Sequence, residues 1–400
     1  MITDIFKIAG YFLQILIGFH LVFPIIILFI YIIRRGFTTK ISTQPQQNKE
    51  ADYAIIVTAY EQTHTLPPVI DSILQLNYSN YLIYIVADKC DVTNLHFESD
   101  KVIILRPPQT LASNTRSHFY AINNFKRNHE RLTIIDSDNL VDSNYLNELN
   151  TYFNAGFKAV QGERKAKNLD TTYACIDAAR DIYYHFYDGE ILFEAGSSAT
   201  LAGSGMAFTV QLYKDCLGHL DITGAGFDKV LQNAIVSRKE RIAFTKKAIV
   251  YDEKTSQSDQ LVKQRARWIN TWFKYNKFGF GLLAKGLANL NLNQWLFGLV
   301  LLRPPLFLFL LAGVLLTMVN LFINPTLFYI WLAGFLCFVL GFILAVFRKD
   351  TDPKIIQSLW GIPKFVFYQV LSLLKARKAN QYSVATQHFH GKKLDEIKKP

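Results

Sequence analysis

Leu132-Thr133-Ile134-Ile135-Asp136-Ser137-Asp138 decides the reading of this 400-residue chain. The first four residues are apolar or β-branched and read as a short buried strand. Two carboxylates, one residue apart, then stand at its end. That spacing lets Asp136 and Asp138 reach the same hard cation, which prefers oxygen ligands. An Asp-x-Asp by itself is more often a turn or a helix cap. Its position directly after a buried strand favours the metal reading.

Outward from this point strands and helices alternate. Residues 53–58, 81–87 and Val102–Leu105 read as strands, and residues 67–76 and 117–125 as helices. The pattern predicts an α/β fold with a mostly parallel sheet, whose ligands bind at the carboxyl ends of the strands. Asp88 ends the second strand there. No Gly-x-Gly-x-x-Gly follows the first strand, which excludes a dinucleotide cofactor of that type. Further on, residues 170–193 have helical spacing. Residues 201–208 form a glycine-rich turn running into a strand. Residues 228–236 read as a helix and 242–251 as a strand.

The ends of the chain are different in kind. Residues 9–33 carry no charge and are followed by Arg34, Arg35 and Lys40. The run is long enough to span about 30 Å of hydrocarbon. It exceeds a signal peptide and lacks a small-residue cleavage site. Residues 304–323 and 327–347 are two more apolar spans around a turn at Asn324-Pro325, closed by Arg348-Lys349. Basic clusters stay cytoplasmic, which puts the central domain inside and the hairpin out and back. Residues 269–287 and 362–374 read as helices lying in the membrane interface.

Lysine and arginine total 43 against 32 acidic residues, a net charge of +11. The excess lies beside the apolar spans and in the tail 375–399, so anionic lipid explains it better than nucleic acid. No nucleic-acid motif is present. The four cysteines, Cys90, Cys175, Cys216 and Cys337, fit neither a disulfide framework nor a metal site.

Two other places carry chemistry. Asp228 opens a helix after Gly224-Ala225-Gly226, where the helix dipole favours its charged form; it is the candidate general base. Gln264-Arg265-Ala266-Arg267-Trp268 sets a guanidinium beside an indole ahead of the second span. Arg267 suits a phosphate, and Trp268 suits the flat face of a sugar. The plainer reading of this pair is an interfacial tryptophan beside a basic stripe. Arg303-Pro304-Pro305, at the mouth of the second span, has no assigned part.

In order and spacing these pieces resemble the family 2 glycosyltransferases, in the membrane-bound branch that includes cellulose, hyaluronan and poly-N-acetylglucosamine synthases and ceramide glucosyltransferase. Thr58-Ala59-Tyr60 stands where that family has its first-strand Pro-Ala-Tyr. Asp88 matches its first aspartate and Asp136-Ser137-Asp138 its metal motif. Gly203-Ser204-Gly205-Met206 matches its acceptor-side glycine turn, Asp228 the aspartate of Thr-Glu-Asp, and residues 264–268 the Gln-x-x-Arg-Trp. The resemblance implies a GT-A fold, inversion at the anomeric centre and Mg2+ or Mn2+. It implies nucleotide-sugar contacts at Thr58, Tyr60, Asp88, Asp136 and Arg267. Acceptor contacts would come from Gly203, Ser204, Gly205, Gln264 and Trp268. The chain departs from the family at Gln62, at Asn114 and at Gly226-Phe227.

The resulting expectation is a membrane-bound, metal-dependent hexosyltransferase. It would move a sugar from a UDP-sugar to a growing cell-surface or exopolysaccharide glycan, or to a lipid-linked acceptor. A single-transfer glycolipid synthase is the alternative within enzymes. A non-catalytic sugar-binding subunit would be expected to lack the carboxylates that this chain keeps. The expected division is an anchor at 1–40, a linker at 41–50 and a catalytic domain at 51–260. The Arg-Trp motif with an interfacial helix follows at 261–292, a membrane hairpin at 293–347, and a cytoplasmic helix and tail at 348–400. A bacterial cell membrane is the expected location, with the catalytic domain cytoplasmic. Membrane lipids, a homo-oligomer and polysaccharide-export proteins are the expected partners.

Overall fold

Runs of β-branched and aromatic residues build one twisted sheet, and the sequence between them supplies its helices. The computed structural model describes residues 2–37, 50–379 and 390–398. The strands are β1 (Tyr53–Tyr60), β2 (Tyr81–Asp88), β3 (Val102–Leu105), β4 (Arg131–Asp136), β5 (Leu140–Val141), β6 (Ala159–Ala166), β7 (Met206–Thr209) and β8 (Ile242–Asp252). Their order is β3-β2-β1-β4-β7-β6-β8-β5. Ile55, Ile56, Val57, Ile83, Ile85, Ile134 and Ile135 are buried in the central strands. Each contributes about 1.5–3 kcal/mol through burial.

Register positions the chemistry. β1 lies parallel between β2 and β4, with Tyr60 opposite Asp88 and Thr58 opposite Asp136. Four of the residues singled out from sequence therefore share one edge of the sheet. The parallel arrangement holds from β3 to β4. It gives way at β7, which runs antiparallel to both β4 and β6. β7 is entered from the turn at 201–205, already at the carboxyl edge of β4, so it can only run back. β6 and β8 are parallel again, with a bulge at Gly162/Glu163.

The helices Leu66–Leu74, Asn114–Asn123, Phe227–Ser237 and Ile362–Lys375 lie within a turn of their expected positions. Residues 269–287 are not one helix. Ser258–Tyr275 and Lys277–Ala288 meet at Asn276. The stretch 170–193 begins as a helix, Thr172–Tyr184, and widens into a π-helical turn, His185–Ile191. The helix Tyr145–Asn154, which buries Tyr145, Leu146, Leu149 and Phe153 on one face, and the strand β6 were not expected. The linker at 41–50 lies outside the described residues except for Glu50. So do Lys40 and the tail residues 380–389.

Among the described residues three helices are long and apolar enough to cross a membrane: Lys7–Arg35, Leu306–Ile323 and Pro325–Val346. Gln14 joins them. Its Oε1 accepts from Asn320 Nδ2 at 2.8 Å and from Trp331 Nε1 at 2.9 Å. Such bonds between membrane helices are worth about 1 kcal/mol each. The π-helical turn docks this group to the sheet domain: Tyr187 Oη donates to Gly341 O at 2.9 Å.

Gly205 tests the turn that reverses β7. Its φ is +66°, and an added Cβ would lie 2.8 Å from Val250 Cγ2. Gly156 also has positive φ, +93°, but open space around it. Gly205→Ala should lower stability more than Gly156→Ala, which carries only a backbone cost of about 1 kcal/mol. Thermal unfolding of the two variants side by side checks this; equal shifts would mean that the Val250 contact is not tight.

Candidate active site

The carboxyl edges of β1, β2 and β4 open into a cavity of about 360 Å3. Thr58, Tyr60, Asp88, Asp136, Asp138, Gln264, Arg267 and Trp268 all line it. Residues far apart in sequence are thus brought to one wall, with the β-sheet edge on one side and the helix Ser258–Tyr275 on the other. Gly203, Ser204 and Gly205 lie behind the wall at Ala202. Asp228 lies behind it at Gly224 and Ala225, in the first turn of Phe227–Ser237. Its Oδ2 is 3.4 Å from Lys229 Nζ.

Asp88 is held by the loop at the cavity's rim. Its two oxygens accept the backbone N–H groups of Leu111 at 2.9 Å and Ala112 at 2.7 Å. Ala112 has φ +45°, an unusual value for a residue with a side chain. The carboxylate thus shapes the loop that leads into the helix Asn114–Asn123 and to Ser113, Asn114 and Ser117 of the wall. Ser113 caps that helix and also donates to Ile222 O at 2.6 Å, which ties in the loop before Asp228.

The Asp136-Asp138 turn is braced by the glycine turn. Asp136 N donates to Ser204 Oγ at 3.0 Å. Asn139, with its amide turned to satisfy both neighbours, accepts from Ser204 Oγ at 2.9 Å and donates to the Asp138 carboxylate. Gln161 is fully buried and holds the other side of the glycine turn through Ala202 N, Ser204 O and Gly205 O. Lys167 Nζ donates to Asp138 O at 2.9 Å.

Sequence reasoning missed a second layer beneath these residues. Lys254 Nζ lies 2.5 Å from Asp181 Oδ2 and 2.8 Å from Asp252 Oδ2. Arg164 approaches the same two carboxylates at 3.4 and 3.6 Å. Arg180 pairs with Asp177 and Asp181 at 3.0 and 2.5 Å, and Arg265 also pairs with Asp177. Four cations therefore share three carboxylates. Burial works against the charge of Asp181, but Lys254, Arg180 and Arg164 hold its carboxyl well below the usual range. Burial, with Arg180 alongside, brings Arg265 down to about 10. Only the Asp177, Arg180, Asp181 spacing on one helix face hinted at this layer.

Trp268 is 37% exposed, and two guanidiniums lie over its ring. Arg265 is 4.0 Å and Arg180 4.4 Å from the centroid. Such contacts are worth about 0.5–2 kcal/mol. The part of the indole they cover is not open to a sugar.

The carboxylates of the wall suit a cation. Seven of them, at Asp88, Asp136, Asp138, Asp177, Asp181, Asp252 and Glu253, stand against Arg164, Arg180, Lys254 and Arg267. Among the described residues no group of three or more His, Cys, Asp or Glu side chains makes a ready cage. Asp136 and Asp138 are a two-carboxylate oxygen set. That fits a hard ion which keeps water and takes further ligands from a phosphate.

The family described as glycosyltransferase like family 2 matches residues 51–271. Among solved structures, the chain is similar to the mannosyltransferase PcManGT from Pyrobaculum calidifontis in complex with GDP-Man and Mn2+. The two are 12% identical with a TM-score of 0.50, over 90% of this chain and 96% of that one. At that identity the likeness is one of fold. S. aureus TarS is similar at 13% identity and a TM-score of 0.42, over 82% of this chain and 55% of that one. A comparison with curated proteins finds no match.

His185 gives the layer beneath the cavity a pH signature. Burial pushes its pKa from 6.5 down to about 3, although Asp181 nearby pulls the other way. The unfolded chain binds a proton below about pH 6.5 that the folded chain refuses, so stability is lost as pH falls from there toward 3. Thermal unfolding between pH 7 and pH 4 should show this loss, and His185→Gln should flatten it. An unchanged slope in the variant would move the acid sensitivity elsewhere.

Proposed function

The chain belongs to the glycosyltransferase-like family 2, and from that premise we propose that it transfers a sugar from a UDP-sugar to a glycan or lipid-linked acceptor at a membrane surface. The observation that carries this reading is the convergence of Asp88, Asp136, Asp138 and the Gln264-to-Trp268 motif on one cavity. The fold is the mixed α/β arrangement of GT-A enzymes.

The donor half is the sheet edge. Thr58, Tyr60 and the loop held by Asp88 form the pocket for the nucleoside. Asp136 and Asp138 would hold Mg2+ or Mn2+, which neutralises charge on the departing diphosphate. The Mn2+ and GDP-Man of the similar mannosyltransferase structure support that assignment. Arg267, on the opposite wall, faces the same phosphates and makes charge-assisted bonds to them. Ser204 fixes the backbone at Asp136 and Asn139 holds the Asp138 carboxylate, which lowers the ordering cost of binding.

Asp228 takes the proton of the acceptor hydroxyl as it attacks. It lies behind the wall at Ala225, so it acts once the Gly224-Gly226 segment admits the acceptor. Gly226 has φ +105°, and an added Cβ would lie 2.6 Å from Tyr275, so this segment and the Arg-Trp helix are tightly fitted. Gln264 and Trp268 stand on the acceptor side. The three apolar helices support a membrane location, and Arg34, Arg35, Arg348 and Lys349 support a cytoplasmic cavity.

A panel of UDP-sugars and GDP-sugars offered to purified full-length chain, with released nucleoside diphosphate and product mass as readouts, tests the reading. Turnover should need a divalent ion. Asp138→Asn should lower both turnover and ion-dependent nucleotide binding. Asp228→Asn should keep nucleotide binding while transfer falls roughly 10²–10⁴-fold, the usual range for a lost general base. Full activity in excess chelator would remove the metal assignment, and near-normal transfer by Asp228→Asn would remove the base.

A further inference from the structure

Two features have no part in the transfer scheme. Arg303-Pro304-Pro305 is one, and its part is structural. Arg303 is buried and makes a two-pronged pair with Asp188 of the π-helical turn; the Nη1–Oδ1 arm is 3.0 Å long. The other is a bridge between two stretches of the cavity wall. Ala112, Ser113, Asn114 and Ser117 belong to the donor-side loop and the helix Asn114–Asn123. Gly224 and Ala225 belong to the segment before Asp228. All six line the cavity.

The first turn of that helix holds the segment before Asp228 from one side. Ser113 Oγ donates to Ile222 O at 2.6 Å, and Thr115 Oγ1 donates to the same carbonyl at 3.1 Å. Ser113, Thr115 and Ile222 are all buried, so water does not compete for these bonds. Arg116 makes a two-pronged pair with Asp221, at 2.7 Å from Nε and 2.6 Å from Nη2. Its Nη1 donates to Leu111 O at 3.2 Å. One side chain thus joins the loop that Asp88 clamps to the residue before Ile222. Beyond the wall, His118 of the same helix packs against Phe227, with ring centres 5.2 Å apart. Gly224 and Ala225 are therefore spanned between two fixings, and both fixings are on the donor-side helix.

This arrangement matters because Asp228 follows Phe227 directly. A general base must come within hydrogen-bond reach of the proton it takes, and a misplacement of about 1 Å can cost two orders of magnitude in rate. On the donor side, Ala112 has φ +45°, a sparsely populated conformation that its surroundings must hold. A nucleoside seated against Ala112 and Ser113 removes what freedom the loop has left. Order gained there is passed to whatever is bonded to it.

We propose that Ser113, Thr115 and Arg116 are positioning residues for the transfer. They carry the ordering of the donor-side loop to residues 221–227, so that Asp228 is set in place when the nucleotide is bound. The nucleotide is then the first ligand and the acceptor the second. The proposal rests on the transferase reading above.

Hydrogen exchange on the full-length chain in detergent micelles tests it, with and without saturating UDP and Mn2+, and with GDP and Mn2+ as the second probe. Nucleotide should slow exchange in residues 111–117. It should also slow residues 221–227 at least about fivefold, the low end of coupling between two sites. In the double variant Ser113→Ala, Thr115→Val the first effect should remain and the second should be lost. Slowing of 221–227 that persists in this variant means that the nucleotide touches the segment directly, which overturns the proposal. An unaltered chain slowed at 111–117 and not at 221–227 also overturns it, and leaves the transferase reading standing. If thermal unfolding shows that the double variant does not fold, the exposed substitution Asp221→Asn carries the comparison. The slowing of 221–227 should then be smaller than in the unaltered chain, and equal slowing overturns the proposal. If neither UDP nor GDP slows 111–117 in the unaltered chain, the donor half of the proposed function falls and this proposal falls with it.

Discussion

The buried ion cluster around Lys254, Asp181, Asp252 and Arg164 is the constraint on which the rest depends. It ties the helix Thr172–Tyr184 to β6 and β8, which already pair with each other in the sheet. Two of its members come from strands whose ends carry no metal motif, yet it forms the floor beneath that motif. Losing one partner of such a pair leaves a buried charge uncompensated and costs about 3–5 kcal/mol. The cluster therefore fixes where the cavity floor lies before any ligand arrives. A hydrophobic floor of the same volume would be at least as stable, so the charges are better explained by what they present to the cavity than by stability.

Much of the architecture was legible because strands with continuous apolar runs leave few alternatives. β1, β2 and β4 read directly from their isoleucines and valines, and the residues ending them fell at the sheet edge as the alternation requires. The three apolar spans were equally plain. β6 was not, because its second half, Glu163-Arg164-Lys165, is charged where a strand is normally apolar. Arg164 is tolerated there because Asp181 and Asp252 lie across from it. That pairing belongs to the tertiary structure and leaves no local trace.

The candidate site divides in the same way. Asp88, Asp136, Asp138 and Trp268 were visible as motifs, and they do share a cavity. What the motifs did not disclose is the bracing. Asp88 was read as a grip on the nucleotide, yet both its oxygens are engaged by Leu111 and Ala112, so its first task is to hold a loop. Ser204 was read with the acceptor, yet its hydroxyl supports Asp136. Gln161 and Asn139, which complete that support, are polar residues with no signature at all. In each case the type of residue was informative and its partner was not, since partners are set by packing across the sheet.

The pair between Asp188 and Arg303 also bears on how the molecule is made. The two residues are 115 positions apart, and the second directly precedes the apolar hairpin. At the usual pace of synthesis, roughly 5–20 residues per second, Asp188 exists for several seconds before its partner. Over that interval the carboxylate on the face that will meet the hairpin has no partner from it. The hairpin then brings the guanidinium, and docking of the two halves through this pair cannot be complete until it does.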